Sequence, residues 1–296
     1  MPAVLRAAPP LPRARWAPVV LVALLIGGSL VPSGRAAAEG PPAAELVAAV
    51  TAAYPAIGTV GVAVARQPTS VVGWPIAAAE ERVARDAGYA ADNGEAAHRP
   101  FPTASMVKLF LAEDILHRAR TGELTLGRAD FAQLQRMIQR SDDPAASALW
   151  VRFDGARAVT AVAARYGLTG TRPPAVRGQW GESMTTARDL ARFLALLPVV
   201  AHPADAGALQ VWMRTATPVA ADGFDQRFGL FGAPGLPAVK QGWMCCIRGK
   251  RHVHSVAVVG HRVVVLLSEV PRSVGYDAAR AALTDAAAAL PPPDQP

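Results

Sequence analysis

Ser105 and Lys108 stand three residues apart in the stretch Phe101-Pro102-Thr103-Ala104-Ser105-Met106-Val107-Lys108-Leu109-Phe110-Leu111. On a helix, positions three apart share a face, so the Lys108 amine can reach the Ser105 hydroxyl. A hydroxyl and an amine so placed form a nucleophile and its base, provided burial and neighbouring cations push the lysine toward its neutral form. Met106, Val107, Leu109, Phe110, Leu111, Ile115 and Leu116 surround the pair. That composition, apolar almost all round, belongs to a helix running through a core. The chain also carries 30 Lys plus Arg, of which only Lys108, Lys240 and Lys250 are lysines. A sequence that writes nearly every cation as Arg keeps Lys where Arg cannot substitute, and the chief chemical difference is that Lys can lose its proton. The plainer alternative is a serine at a helix start and a lysine whose stem covers apolar surface while its head stays in water.

The helix is expected to begin at about Ala104. Pro102 holds the approach extended, and the run to Arg118 contains no Gly or Pro. Ser105 would then lie in the first turn, where free backbone N–H groups and the helix dipole favour an anion. Downstream, residues 131–139, 144–151, 156–166, 185–197 and 204–214 have helical character, with Arg140-Ser141-Asp142-Asp143-Pro144 between the first two. Asp142 suits an N-cap before Pro144, and the Thr185-Thr186 pair caps the helix that follows it. The Pro- and Gly-rich connection 167–184 is long enough to be functional.

Strands are expected at both ends of this helical block. Residues 57–65 are β-branched and alternating, with 71–76 as a hairpin partner, and 80–99 reads as a polar surface connection. Residues 238–247, 252–259 and 262–270 form a meander separated by Arg248-Gly249-Lys250-Arg251 and Gly260-His261. Helices at 43–53 and 275–290 flank the strands. The simplest solution is an α+β fold in which the terminal strands join into one five-stranded antiparallel sheet flanked by the terminal helices, with the helical middle as a second lobe. The boundaries would be a sheet lobe from 39–100 and 218–290, a helical lobe from 101–217 and a loose tail at 291–296. Ser105, Ser141 and Lys240 all fall at element junctions that could line a cleft between the lobes.

At 296 residues the chain can bury a sizeable core. Arg6, Arg13 and Arg15 precede the apolar run 16–31, and Ala36-Ala37-Ala38 offers a cleavage site before Glu39. Residues 1–38 therefore read as a secretory signal, with an uncleaved anchor as the alternative, and the product as secreted into the extracytoplasmic space. This segment holds four Arg and no acid, so the formal charge of +7 falls to +3 without it. No basic run with interleaved aromatics points to nucleic acid. The only cysteines, Cys245 and Cys246, are adjacent, either two thiols or a vicinal disulfide. His252 and His254 alternate on one strand face without a third ligand nearby, so no metal is expected. No phosphate loop or dinucleotide fingerprint occurs, no cofactor is expected, and a monomer is expected.

Ser105-Met106-Val107-Lys108, Ser141-Asp142-Asp143 and Lys240-Gln241-Gly242 occur in the order of the S-x-x-K, S-D-N and K-T-G elements of class A β-lactamases and penicillin-binding proteins. Phe101-Pro102 and Thr185-Thr186-Ala187-Arg188-Asp189-Leu190 also resemble that superfamily, and the element order matches it across nearly the whole chain after residue 38. The resemblance implies a serine hydrolase that forms an acyl-enzyme on an amide, β-lactam or peptidoglycan-type substrate. Ser105 would attack, Lys108 would accept its proton, and Ser141 would relay a proton to the leaving nitrogen. Lys240 would face the substrate carboxylate and hold down the pKa of Lys108. The oxyanion would lie between the backbone N–H groups of Ser105 and Trp243, with Gly242 leaving room for a substrate along the strand.

Three departures qualify what the resemblance implies. Asp143 stands where the family has Asn, and a carboxylate cannot donate to a substrate carbonyl unless protonated. Gln241 replaces the Thr or Ser of the third element. The 167–184 connection has no E-x-x-L-N, and its one acid, Glu182, suits a helix start, so only weak β-lactamase turnover is expected. The same three features motivate a non-catalytic alternative, a peptidoglycan- or partner-binding module on the same fold.

Overall fold

The computed structural model describes residues 41–68 and 90–292. Helix α1 (Ala43–Ala53) leads into strand β1 (Thr59–Arg66), followed by β2 (Ala91–Asp92) and the short α2 (Glu95–His98). Strand β3 (Phe101–Pro102) and a 3-10 turn (Ala104–Met106) precede α3 (Val107–Arg120). Then come α4 (Arg128–Gln139), α5 (Asp143–Arg152) and α6 (Gly155–Tyr166). A second 3-10 turn (Trp180–Glu182), β4 (Met184–Thr185), α7 (Ala187–Val200) and α8 (Pro203–Arg214) complete the helical middle. A third 3-10 turn (Gly229–Gly232) leads to β5 (Ala238–Ile247), β6 (Lys250–Val259), β7 (Arg262–Pro271) and α9 (Tyr276–Ala288).

The strands form one antiparallel sheet in the order β2-β1-β7-β6-β5, and β3 pairs separately with β4. The architecture is therefore α+β, as the element order implied. The edge partner of β1 is not where it was expected: residues 71–76 lie outside the described residues, and β2, inside the stretch read as surface connection, pairs with Ala63 and Val64. Two residues are too short to show alternation, which is why periodicity did not reveal this strand. The expected signal segment also lies outside the described residues, as does most of the expected tail. Among the described residues no helix is long and apolar enough to cross a membrane.

Strand periodicity divides the core between the sheet's two faces. Ala63, Ala65, Val256, Val258, Val263, Val265 and Leu267 pack with α3, α7 and the rest of the helical middle. Val60, Val62, Val64, Val253, Val264 and Leu266 pack with α1 and α9 on the other side. Helix α3 is enclosed on nearly every side, and its two buried acids are paired: Arg165 bonds Glu113 at 2.7 Å and Asp114 at 3.1 Å. Pairing of this kind is what lets charges remain in such a helix.

His254 ties this sheet to the chain entering α3. Its Nε2–H donates to the Pro102 carbonyl at 2.9 Å, and its Nδ1 accepts from the Ser268 N–H at 3.2 Å. That arrangement fixes the neutral imidazole, because a proton on Nδ1 would face another N–H. Burial, followed by the neighbouring His252, lowers His254 to about 3, and burial likewise lowers His252 to about 4. Below pH 6.5 the unfolded chain binds protons at these sites that the folded chain refuses, so their stabilisation is complete above that pH and declines as the pH falls toward about 4 and about 3. Each histidine should account for a loss on the order of 3 kcal/mol across that window. Urea unfolding between neutral and mildly acidic pH should therefore show a steeper decline for the wild type than for His254→Gln, whose amide can still donate to Pro102; parallel declines would rule the account out.

Candidate active site

Ser105 lies in the 3-10 turn ahead of α3, not in the first turn of the α-helix itself. The tighter turn follows from Ala104, whose φ of 45° is left-handed and incompatible with an α-helix starting there. Lys108 still falls on the same side, now one residue inside α3, with its side chain completely buried. Its Nζ is 2.9 Å from Ser105 Oγ. It also lies 2.7 Å from the Ser141 carbonyl, 3.2 Å from Ser141 Oγ and 2.5 Å from Asp143 Oδ1.

Ser141 and Asp143 arrive together at the start of α5. Asp142 is the N-cap, accepting from the Ala145 N–H at 2.9 Å, and Pro144 follows inside the first turn. Ser141, just ahead of the cap, adopts φ 50°, which turns both its carbonyl and its hydroxyl onto Lys108. Lys240 approaches from β5, equally buried, and donates to Ser141 Oγ at 2.9 Å and to the Gln241 carbonyl at 2.6 Å. Gly242, two residues along the same face, packs on the nucleophile's turn: a Cβ there would sit 3.3 Å from the Ser105 backbone N.

The five residues Ser105, Lys108, Ser141, Asp143 and Lys240 are thus one connected constellation, with Gly242 against it. Trp243 follows Gly242 on the strand, so its half-buried side chain points to the other face, where the indole N–H donates to Asp222 at 3.2 Å and the ring stacks on Phe224 at 4.3 Å. Gln241 is turned away from the constellation and bonds the Gln226 and Phe228 carbonyls at 3.0 and 2.6 Å. Cys245 and Cys246, further along β5, are joined as a vicinal disulfide, one of the two alternatives that their spacing allowed.

Trp180 is the neighbour that sequence reasoning missed. It stands in the 167–184 connection, with its ring 4.9 Å from Lys108 Nζ and its N–H 3.2 Å from Ser147 Oγ on α5. The same connection is pinned to the nucleophile's approach by Thr103 N–H on the Ser183 carbonyl at 2.7 Å. An aromatic face over a lysine favours its cationic form and excludes water from it. A lone Trp in a Gly- and Pro-rich stretch was the available signal, but spacing alone could not say what it covers.

Charge at the site is set by opposing effects. Burial is the largest influence on Lys108 and pushes it below its ordinary value, while Asp143, and more weakly Asp142 and Asp222, act to raise it. Burial also drives Lys240 well below its ordinary value, helped by the charge on Lys108. As an ammonium, Lys108 has three hydrogens for four surrounding acceptors; as an amine, it has two and a lone pair. The Ser105 hydroxyl, its nearer hydroxyl neighbour, can then donate to that lone pair.

The α+β fold that brings Ser105, at the head of a buried helix, to a strand-borne lysine is the fold of β-lactamases of known structure. Solved structures bear this out: a β-lactamase from Chitinophaga pinensis superposes with a TM-score of 0.60 at 14% identity, covering 83% of this chain and 96% of that one. A variant of the class A β-lactamase of the last common ancestor of Gram-negative bacteria gives 0.57 at 20% identity, covering 83% and 95%. A β-lactamase from Sphaerobacter thermophilus gives 0.57 at 18% identity, covering 84% and 98%. In sequence, the chain is 39% identical over 193 residues to the proteins named "Putative lipoprotein LppW" in Mycobacterium bovis and Mycobacterium tuberculosis, over 62% of this chain. The aligned part spans 60% of the length of those curated relatives. No protein-family model matches the sequence.

Asp143→Asn removes the nearest negative charge from Lys108, so the lysine's ionisation midpoint should fall. With only three lysines in the chain, side-chain carbon NMR of 13C-lysine-labelled protein can follow each one. A midpoint for Lys108 that is unchanged or higher in the variant would show that Asp143 does not control its charge.

Proposed function

We propose that the chain is an exported serine hydrolase that cleaves amide or β-lactam bonds of the cell-wall-peptide kind through an acyl-Ser105 intermediate. The observation that carries this reading is the 2.9 Å approach of a fully buried lysine amine to the Ser105 hydroxyl. Burial that disfavours the ammonium is what makes a lysine a base at neutral pH. Export is supported by the arginine-led apolar segment within 1–38 and by the "lipoprotein" in the relatives' name.

In the acylation step, Ser105 Oγ bonds to the carbonyl carbon and its proton passes to Lys108 Nζ. The oxyanion is held by the Ser105 and Trp243 backbone N–H groups. Both lone pairs of Ser141 Oγ face lysine donors at 3.2 and 2.9 Å, leaving its own hydrogen for the leaving nitrogen. As the C–N bond breaks, Ser141 gives up that proton and recovers one from Lys108. Hydrolysis then adds water oxygen to the acyl carbon and returns a proton to Ser105.

Nothing in the 167–184 connection equips this second step. Trp180 covers Lys108, and Glu182 makes no side-chain hydrogen bond among the described residues. Release should therefore be slow. One observation favours the non-catalytic alternative: the 2.5 Å contact to Asp143 Oδ1, which supports the cationic form of Lys108. Incubation with penicillins and with neutral activated thioesters separates the two readings. Intact mass should rise by one acyl group in the wild type, persist after removal of excess reagent, and stay unchanged in Ser105→Ala. Absence of any adduct would favour the binding module, and rapid disappearance of the adduct would refute the slow-release argument.

A further inference from the structure

The site's acid has one oxygen turned inward and the other left over. Asp143 Oδ1 is engaged by Lys108, yet the side chain is 56% exposed and no described residue donates a hydrogen bond to its second oxygen. The carboxylate therefore spans the boundary between the buried lysine and the open side of the constellation. A carboxylate offers only acceptor sites, so what it can bind there is an N–H donor, most strongly a cationic one.

The opposite preference has been weakened at the same site. Lys240 is fully buried, with hydrogen bonds to Ser141 Oγ and the Gln241 carbonyl, and the Gln241 amide is spent on the Gln226 and Phe228 carbonyls. On the far flank, Asp222 bears on both lysines electrostatically and holds the Trp243 indole. An anionic substrate group thus finds fewer free donors, while a cation finds an open acceptor beside the nucleophile.

We propose that Asp143 is a specificity-determining residue that selects acyl donors carrying a protonated amine close to the scissile carbonyl's side chain. This rests on the acyl-Ser105 reading. An ammonium docked on Asp143 also draws its charge away from Lys108, so substrate binding and activation of the base are coupled. Bound cation and free lysine compete for one carboxylate; occupancy by the first favours the neutral amine of the second.

Ampicillin and benzylpenicillin form a matched pair of probes, differing by one amine on the side-chain carbon next to the amide carbonyl. With the amine protonated, ampicillin should acylate wild-type Ser105 faster by on the order of tenfold, the worth of one hydrogen bond to a charged group. In Asp143→Asn the ratio should collapse toward unity, because the ammonium of ampicillin loses its carboxylate partner while the amide donor of the asparagine serves the side-chain carbonyl that both probes share. Equal rates in the wild type, or a preference unchanged in Asp143→Asn, would overturn the assignment. If a neutral thioester acylates Ser105 while neither penicillin does, acyl transfer survives and the amine preference falls. If no reagent labels Ser105, both fall. Far-ultraviolet circular dichroism and the mass adduct with the thioester verify that the variant is folded and competent.

Discussion

Two lysine ammonium groups cannot share a dry pocket unless something pays their desolvation, and the site of this protein is arranged around that constraint. Lys108 and Lys240 both reach Ser141 Oγ, at 3.2 and 2.9 Å, with neither side chain open to water. Removing an isolated ion from water is among the most unfavourable steps in folding, and like charges so close aggravate it. Relief comes from the carbonyls of Ser141 and Gln241, from the Asp143 carboxylate and from loss of a proton. The last of these is the chemically useful one. A lysine that is easier to keep neutral can accept a proton, and the Ser105 hydroxyl lies 2.9 Å from Lys108.

The rest of the fold can be understood as holding these groups still. Five described residues without the freedom of glycine adopt left-handed backbone angles, and two of them belong to the site: Ala104 at φ 45°, just before Ser105, and Ser141 itself at φ 50°. Such angles cost about 1–3 kcal/mol each and persist only where the surroundings overdetermine them. Here β3 is clamped from two sides, by β4 through the 101–185 pairing and by the His254 imidazole on Pro102. Strand β5 presses Gly242 against the Ser105 backbone, leaving no room for the turn to relax outward. On the α5 side, Asp142 secures the helix start with its cap, so Ser141 is held at a fixed distance from Lys108. At these two positions the strain coincides with the groups of the site, and the packing around them sustains it.

What the sequence disclosed and what it withheld divide along physical lines. Long periodic segments were legible: α3, the β5–β7 meander and the terminal helices carry enough repeats for a face to declare itself. That Ser105, Lys108, Ser141 and Lys240 would come together was legible as well, because three motifs in the order of a known superfamily resemble its arrangement. Short-range backbone detail was not. The 3-10 turn at Ala104–Met106 is composed of residues that an α-helix would accept equally, and β2 is two residues held by a neighbour. Side-chain direction was also hidden. Nothing in Lys240-Gln241-Gly242 says that the glutamine will turn to the 226–228 carbonyls, and nothing in 167–184 says that Trp180 will lie over Lys108. Those outcomes depend on contacts between segments far apart in the chain, to which local pattern is blind.

The two departures from the superfamily's motifs are better understood together than singly. Asp in place of Asn at 143 adds a negative charge beside the base, and Gln in place of a hydroxyl residue at 241 withdraws a donor from the strand. Each alone would resemble decay of an old function. Both, however, act in one direction, adding an acceptor or withdrawing a donor, while Ser105, Lys108, Ser141 and Lys240 remain linked by hydrogen bonds. The strained backbone at Ala104 and Ser141 is costly to hold, and it brings those groups together. On the acyl-Ser105 reading proposed above, that cost is what keeps the nucleophile and its base together while the groups around them favour a different charge on the substrate.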